Sequence, residues 1–233
     1  MHVSFRSKWL LAAVLPLVLA ACGDSEPDQR AAFKQFLQTR ILDKPGVHVP
    51  KPSAEETKAF GDYASHYAVI TDFNAKMDEN TKSLSGVTKS VSVRSLDDIL
   101  KHREDLKTVQ AFMNDASGQY KKNLAEADAA HAQLKQPEDL ELVYDKAYER
   151  VVSTPAKTFL EVLPQVNAGV EAIEDVADYL EAHRAQIKID GLKTEVQDPQ
   201  VLAELNKRLQ VASERSAALV NAQARLRGVM LGQ

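Results

Sequence analysis

Apolar residues recur at steps of three and four along most of the chain, which is the spacing of the buried face of an amphipathic helix. The first such run carries Phe33, Phe36, Leu37 and Ile41. It stops at Lys44-Pro45-Gly46, because proline and glycine interrupt a helix. This pattern predicts a short first helix that is followed by an extended connection.

A second run begins at Ser53 with Glu56 three residues later, which is the signature of a capping box. The apolar positions that follow form one aromatic-rich stripe on a predicted long helix: Phe60, Tyr63, Tyr67, Ile70, Phe73 and Met77. Such a stripe is either the core of a helical bundle or the lining of a ligand pocket, and core is the commoner use. The pattern weakens in residues 83–92, which are rich in serine and threonine.

Ser95 with Asp97 and Asp98 marks another helix start, since acidic side chains are favourable near the positive end of the helix dipole. Helical spacing continues over residues 96–134 and predicts one helix of about 60 Å, with Gly118 as a soft point. Gln136-Pro137 then closes this helix.

The last third of the chain contains three further helix signals. Thr154-Pro155 predicts that a shorter helix over residues 138–152 ends and a new helix begins, because threonine caps well and proline fits the first turn. The new helix continues to about residue 187, and Pro164 is expected to kink it. Asp198-Pro199 opens the final helix.

Residues 187–196 alternate between apolar and polar around Asp190-Gly191, which is a strong hairpin signal. Two such short strands cannot stand alone, so they must pack on the helices. We therefore expect an all-α protein: an antiparallel bundle of about five or six helices, several of them long, with one small β-hairpin near residues 187–196.

The first 21 residues have the pattern of a secretory signal peptide. Arg6 and Lys8 precede an apolar run, Trp9–Ala21, which is too short to span a membrane. The run ends in Leu19-Ala20-Ala21-Cys22, which resembles the bacterial lipobox. That resemblance implies that the Cys22 thiol receives diacylglycerol, that signal peptidase II cuts before Cys22, and that the new amine is acylated.

The alternative is an ordinary signal peptide that is cut nearby and leaves Cys22 as a free thiol. The cysteine count favours lipidation, because secreted proteins commonly use cysteines in pairs and Cys22 is the single cysteine of the chain. Several acyl chains on one residue give a firm membrane anchor, whereas one chain holds only reversibly.

These features divide the chain into a lipoprotein signal peptide (residues 1–21), a lipidated N-terminus with a short tether (residues 22–30) and a single helical domain (residues 31–233). Eight extended tether residues reach at most about 26 Å, which keeps the domain near the bilayer. Gly23 stands where an aspartate would retain an enterobacterial lipoprotein at the inner membrane, so the periplasmic face of the outer membrane is favoured by resemblance to that sorting rule.

The charge of the chain narrows the classes of partner. Removing Arg6 and Lys8 with the leader changes the net charge from -4 to about -6. Nucleic-acid binding depends on basic contacts to phosphate, so no nucleic-acid partner is expected. The body is not attracted to anionic lipid either, and the lipid on Cys22 must supply the membrane affinity.

Several sequence strings resemble the YiaF-like family of bacterial lipoproteins, and they occur in order over most of the mature chain. They include Asp28-Gln29-Arg30, Asp128-Ala129-Ala130-His131, Val151-Val152-Ser153-Thr154-Pro155-Ala156 and Asp178-Tyr179-Leu180. The resemblance implies a lipoprotein with a helical fold. It transfers no functional residue beyond the acylated Cys22.

The sequence contains no complete catalytic or metal-binding motif. Helical di-metal sites need inward-facing Glu-x-x-His pairs, and the nearest candidates, Asp128 with His131 and Asp62 with His66, lack the full ligand set. No Gly-x-Ser-x-Gly elbow or glycine-rich phosphate loop occurs. We therefore predict no catalytic residue, no metal, no cofactor and no enzymatic activity.

The leading hypothesis is an outer-membrane-anchored periplasmic lipoprotein that acts as a non-enzymatic interaction or structural module. Its partner would be an envelope protein, peptidoglycan or a second copy, and the oligomeric state stays open. One alternative is a carrier or chaperone for lipid or polypeptide, with a cavity between the Tyr63/Tyr67 face and the Phe159/Leu163 face. The other is an enzyme with an unrecognised site.

Overall fold

The computed structural model describes residues 25–88 and 94–233. The predicted signal peptide and the predicted lipidation site, Cys22, lie outside these described residues. No helix within them is both long and apolar enough to cross a membrane.

The predicted helical fold with one hairpin is confirmed. The elements are α1 (Glu26–Leu37), α2 (Ala54–Phe60), α3 (Tyr63–Thr88), α4 (Leu96–Lys101), α5 (Arg103–His131), α6 (Glu138–Tyr148), α7 (Thr154–Ala182), β1 (Ile187–Asp190), β2 (Lys193–Val196) and α8 (Pro199–Leu231). Two π-helical segments extend these helices: the first π segment (Gln38–Leu42) continues α1, and the second π segment (Glu149–Ser153) lies between α6 and α7.

The chain stays helical from Glu138 to Ala182, and we call this continuous helix the spine. The predicted break at Thr154-Pro155 is therefore wrong. Ser153 keeps helical dihedrals, with φ −66° and ψ −50°. Proline removes an N–H from the usual ladder, and the wider π turn directly before Pro155 lets the helix continue. The spine is about 65 Å long at the usual rise per residue.

Helix α5 lies antiparallel to the spine. The register is marked by contacts between Arg103 and Asp178, Asn114 and Asn167, Tyr120 and Phe159, and Asp128 and Tyr148. The single helix predicted over residues 96–134 is interrupted at His102, which leaves helical dihedrals with φ −100° and ψ 15°. The break lets α4 pack with the end of α7, while α5 follows the middle of the spine.

Helix α8 returns along α7 in the opposite direction. The Tyr179 hydroxyl donates to the Val201 carbonyl over 3.3 Å, and Arg208 pairs with Asp175. Asp198 caps the start of α8 by accepting from the Gln200 N–H over 2.7 Å, as predicted. The C-terminal end of α8 therefore returns to the half of the molecule that contains α1.

Three apolar clusters lie along the spine. The first is formed by α1, α2, α3, α6 and the adjoining ends of α5 and α7. The second, at the opposite end, joins α4, the end of α7, the hairpin and the start of α8. The third lies between α5 and α7. The spine contributes to every cluster and therefore fixes the distance between the two ends.

The hairpin forms at the predicted place, with Ile187 opposite Val196 and Asp190 opposite Lys193. Its loop is Gly191-Leu192. Gly191 has φ +59°, which suits the first central position of a type II′ turn. Ile187 is buried against the second cluster, so the hairpin rests on the helices as expected.

Residues 26–30, which were predicted to belong to a tether over residues 22–30, lie in α1. Pro27 fits the first turn, where a missing N–H costs nothing. The Tyr63 hydroxyl donates to the Glu26 carboxylate, and Arg30 pairs with Asp139 over 3.2 Å. Tertiary contacts thus hold these residues in the domain.

Two glycines allow the C-terminal end of α8 to meet the loop after the first π segment. The Val47 N–H donates to the Met230 carbonyl over 3.0 Å. Gly46 has φ +69°, and a Cβ atom there would lie 2.3 Å from the Met230 oxygen. A Cβ atom at Gly232, with φ +72°, would lie 2.2 Å from the Gly46 nitrogen. Both positions therefore need glycine.

Gly46→Ala should lower the free energy of unfolding by about 1–3 kcal/mol, because alanine is strained at positive φ and has no room here. Gly118→Ala is the matched control. A Cβ atom at Gly118 in α5 meets nothing within 4 Å, so alanine should stabilise by about 0.5–1 kcal/mol through its helix propensity. Urea unfolding of the two variants measures both changes. Equal effects of the two substitutions would contradict the close packing at Gly46.

Candidate functional site

A cleft of about 960 Å³ opens between the spine and the C-terminal end of α8. The spine wall carries Lys146, Arg150, Thr154, Thr158 and Glu161. These residues are three or four positions apart, so they lie on one face of the helix across the second π segment. The polar face of the spine therefore forms one side of the cleft.

The opposite wall comes from α8, where several of the lining residues are small. Ala224, Gly228 and Gly232 follow one another at four-residue steps and line the cleft. Arg225 lies beside them and faces Glu161 across the opening, with 3.7 Å between nitrogen and oxygen. Both partners are more than 60% exposed, so this ion pair contributes little to stability.

Arg150 closes the floor of the cleft. Its guanidinium donates to the carbonyl oxygens of Leu42 over 2.6 Å and Gly46 over 3.3 Å, and also to the carbonyl of Lys44. Carbonyls at the end of a helix have no partner within the helix. One side chain from the second π segment therefore caps the first π segment.

The meeting of two π segments singles out this cleft as the candidate site, because π turns occur often at functional sites. Its charged side chains are of both signs: Lys146, Arg150 and Arg225 face Glu149 and Glu161. The lining contains no histidine, serine or cysteine. This combination of small walls and mixed charge suits the binding of a polypeptide segment with its own charged side chains.

Asp128 and His131 do not form a ligand pair. His131 Nε2 lies 2.9 Å from Asp145 Oδ1, and the Tyr148 hydroxyl donates to Asp128 Oδ1 over 2.8 Å. The His131 ring also packs on Tyr148, with 4.1 Å between ring centroids. These contacts link the end of α5 to α6 and describe a structural role for both residues.

His66 likewise contacts a distant part of the chain, the connection between α5 and α6. The Gln136 amide nitrogen lies 2.9 Å from His66 Nδ1. Burial lowers the pKa of His66, and the nearby Asp62 carboxylate partly opposes this shift. Within the described residues, no group of three or more histidine, cysteine, aspartate or glutamate side chains could hold a metal ion. The absence of a metal, a cofactor and catalytic residues stays a prediction.

The aromatic stripe is core, as its commoner interpretation predicts. The single long helix predicted to carry it is wrong, because α2 ends at Phe60 and Gly61, with φ +53°, leaves the helical conformation before α3 begins at Tyr63. Phe36 and Tyr67 meet edge to face with centroids 5.2 Å apart. The Tyr67 hydroxyl donates to the Pro50 carbonyl over 2.7 Å, and burial raises the pKa of Tyr67. Further along, the Tyr120 ring stacks on Phe159 at 4.5 Å. Packed rings therefore occupy the region where the carrier hypothesis places a cavity.

Sequence reasoning missed the cleft. The spacing of Lys146, Arg150, Thr154 and Thr158 shows a polar helix face, but such a face is usually solvated. The role of Arg150 depends on carbonyls more than 100 positions earlier in the chain. No local pattern announces such a contact.

Arg150→Lys should lower the free energy of unfolding by about 1–3 kcal/mol, because an ammonium group cannot reach three separated carbonyls as the planar guanidinium does. Arg225→Lys is the matched control and should change stability by less than about 0.5 kcal/mol, since its ion pair is exposed. Chemical denaturation of both variants tests this. A loss no greater for Arg150→Lys than for Arg225→Lys would remove the capping role of Arg150.

Comparison of the sequence with known proteins identifies its family. Residues 9–227 match the model of a family described as a protein of unknown function, DUF3053. The chain is also 31% identical over 206 residues to the uncharacterized protein YiaF of Escherichia coli strain K12. YiaF of Escherichia coli O157:H7 and of Shigella flexneri show the same identity.

The alignment covers 86% of this chain and 87% of each YiaF relative. No solved structure matches the chain. The resemblance to a YiaF-like family is confirmed, and the family model ends at residue 227, before the cleft residues Gly228, Val229, Gly232 and Gln233. This chain therefore belongs to the DUF3053 family of proteins of unknown function.

Proposed function

We propose that this protein is a lipid-anchored lipoprotein of the cell envelope that binds another envelope component without catalysing a reaction. The observation that carries the proposal is Leu19-Ala20-Ala21-Cys22, which resembles a lipobox and supplies the one cysteine of the chain. The first helix begins only four positions later, at Glu26. The anchor is thus next to a folded domain.

The position of α1 supports a domain held close to the bilayer. Only residues 23–25 separate Cys22 from the helix, and three extended residues span at most about 11 Å. The Lys34 ammonium donates to Asp139 over 2.6 Å and lowers the pKa of that carboxyl. Together with Arg30, Lys34 ties α1 to the first turn of the spine. The spine therefore begins at the anchored end and extends away from it.

The outer membrane is the proposed location, with the domain in the periplasm. Gly23 lacks the carboxylate that retains enterobacterial lipoproteins at the inner membrane. The net charge of the mature region, about -6 by the loss of Arg6 and Lys8 from a total of -4, gives anionic lipid no attraction for the body. Attachment would then depend on the lipid of Cys22.

The cleft favours a second function, the binding of a polypeptide segment by a carrier or chaperone. Its position differs from the expected one, since this cleft of about 960 Å³ lies at Arg150 and α8, away from the ring-filled region around Tyr120 and Phe159. Charged residues of both signs at the cleft suit a polypeptide better than an acyl chain.

Cys22→Ser should abolish incorporation of labelled palmitate and block cleavage by signal peptidase II, because serine cannot form the thioether that precedes the cut. The domain should remain folded, since it begins after this residue. Palmitate labelling, the mass of the chain and circular dichroism measure the three effects. Cys22→Ser combined with Ser25→Cys is a matched control, which keeps one cysteine outside the lipobox and should also stay unlabelled.

Palmitate in the Cys22→Ser protein, or none in the parent chain, would remove the lipid anchor from the proposal. Loss of the circular dichroism signal in Cys22→Ser would instead show that the anchor and the domain are not separable. These outcomes concern the anchor alone and leave the cleft to its own test.

A photo-crosslinking residue at Thr158 should capture a bound polypeptide in intact cells, because Thr158 lines the cleft. Thr108 on α5 is the matched control. Both threonines donate their hydroxyl to the carbonyl four residues earlier, over 2.9 Å in each case, but Thr108 lies outside the cleft lining. Val229→Trp should fill the cleft and reduce capture at Thr158. Equal capture at both sites would contradict a role for the cleft.

A further inference from the structure

Leu192 lies at the end of the molecule opposite α1 and is 90% exposed. It occupies the second loop position of the hairpin, directly after Gly191. Turn positions of this kind are usually filled by polar residues. Neither the turn nor the core requires a leucine at this position. The apolar side chain of Leu192 is therefore available for contact with another molecule.

A groove of about 360 Å³ lies beside Leu192. Its apolar residues are Leu96 and Ile99 from α4 and Leu209 from α8, and Arg94 and Ser95 line its edge. Leu192 itself lines one side of the opening. An exposed apolar side chain therefore lies next to a groove that none of the described residues fills, and we call the hairpin with this groove the distal tip.

This adjacency makes the distal tip complementary to itself. In a two-fold contact the same patch is used on both subunits, so a protruding group and its recess must lie close together on one surface. When the two lie far apart, the contact propagates into filaments instead. Two copies related by a two-fold axis beside the hairpin can each place Leu192 in the groove of the other.

The charges of the hairpin permit such an approach. Lys188 stands opposite Glu195, and Asp190 stands opposite Lys193, so the hairpin has no net charge. The mature region as a whole is acidic, and two copies repel each other over most of their surface. The neutral hairpin lets two tips meet, and its carboxylates, Asp190 and Glu195, can approach Arg94 at the groove of the other copy.

The proposed membrane anchor favours contact between two distal tips over contact between other surfaces. In this respect the inference rests on the proposed function. Helix α1, which begins four positions after Cys22 in the sequence, contacts the start of the spine, while the hairpin follows the last residue of the spine, Ala182. Copies anchored in one leaflet hold their tips at the same height, about 65 Å along the spine. Confinement of both copies to one surface raises their effective concentration.

We propose that the distal tip is a docking surface for a second copy of this chain, with Leu192 of each copy in the groove formed by Leu96, Ile99 and Leu209 of the other. The contact is small, so it forms on the membrane and is weak between copies free in solution.

The test uses the full lipidated chain in phospholipid vesicles and a short bismaleimide crosslinker. Thr194→Cys places a thiol at the edge of the groove and should give crosslinked dimer. Val220→Cys is the matched control, because Val220 is 61% exposed but lies on the middle of α8; it should give none. Adding Leu192→Asp to Thr194→Cys should reduce the dimer at least about tenfold, since a carboxylate is costly in an apolar groove.

The parent chain separates a failed anchor from a failed tip. Lipidated Cys22 has no free thiol, so a crosslinked parent chain would show that Cys22 is unmodified and would count against the anchor alone. With palmitate on Cys22 established, absence of dimer from Thr194→Cys overturns the tip contact. Dimer that survives Leu192→Asp overturns it as well.

The same crosslinking experiment would also reveal a different occupant of the groove. Residues 89–93 of the same chain, or another protein, would fill the groove without producing a crosslinked homodimer, and either result overturns the proposal. Leu192→Asp should unfold at the same temperature as the parent chain, because its side chain is exposed. A shared melting temperature thus assigns any loss of dimer to the surface and not to the fold.

Discussion

Pro155 removes a backbone hydrogen-bond donor from the middle of the longest helix, and the arrangement of this protein depends on how that gap is absorbed. The π segment at Glu149–Ser153 widens the helix directly before the proline, so the spine continues to Ala182. Helix α5 runs along it from Arg103 to Asp128, and α8 packs along its second half. A break at Pro155 would separate the first and second apolar clusters, because the spine connects them. The π segment therefore keeps the first and second clusters in one elongated domain.

The same π segment also produces the cleft. Its residue Arg150 caps the carbonyls at the end of the first π segment, and these lie next to the C-terminal turn of α8. Helix α8 packs along α7, with Val201, Leu205 and Ala222 buried and Leu209 and Ala212 half-buried against the second cluster. Asp198 caps the start of α8, and the meeting of Gly46 and Gly232 adds a contact at its C-terminal end.

Local signals predicted local structure well. The Ser53 and Glu56 capping box, the Asp198 cap and the hairpin at residues 187–196 each depend on neighbours within a few positions, and each is present. The break at His102 and the continuity through Thr154 were not predictable in this way. At His102 the path of the chain follows the packing of Ile99 and Leu106 into different clusters. At Thr154 the sequence permits a cap, but the packing of the spine favours a continuous helix. The cleft was not predictable for the same reason, because its walls come from distant parts of the chain.

The close approach of Gly232 to Gly46 has a practical consequence for work on this protein. The final residue, Gln233, lines the cleft, and its N–H donates to the Gly228 carbonyl over 2.9 Å. An affinity tag or fluorescent protein joined after Gln233 would begin at a residue that lines the cleft. A label in the exposed connection between α5 and α6, near Gln133, lies away from the cleft lining. Localisation and interaction studies that use a fusion after Gln233 would therefore place the reporter beside the candidate site.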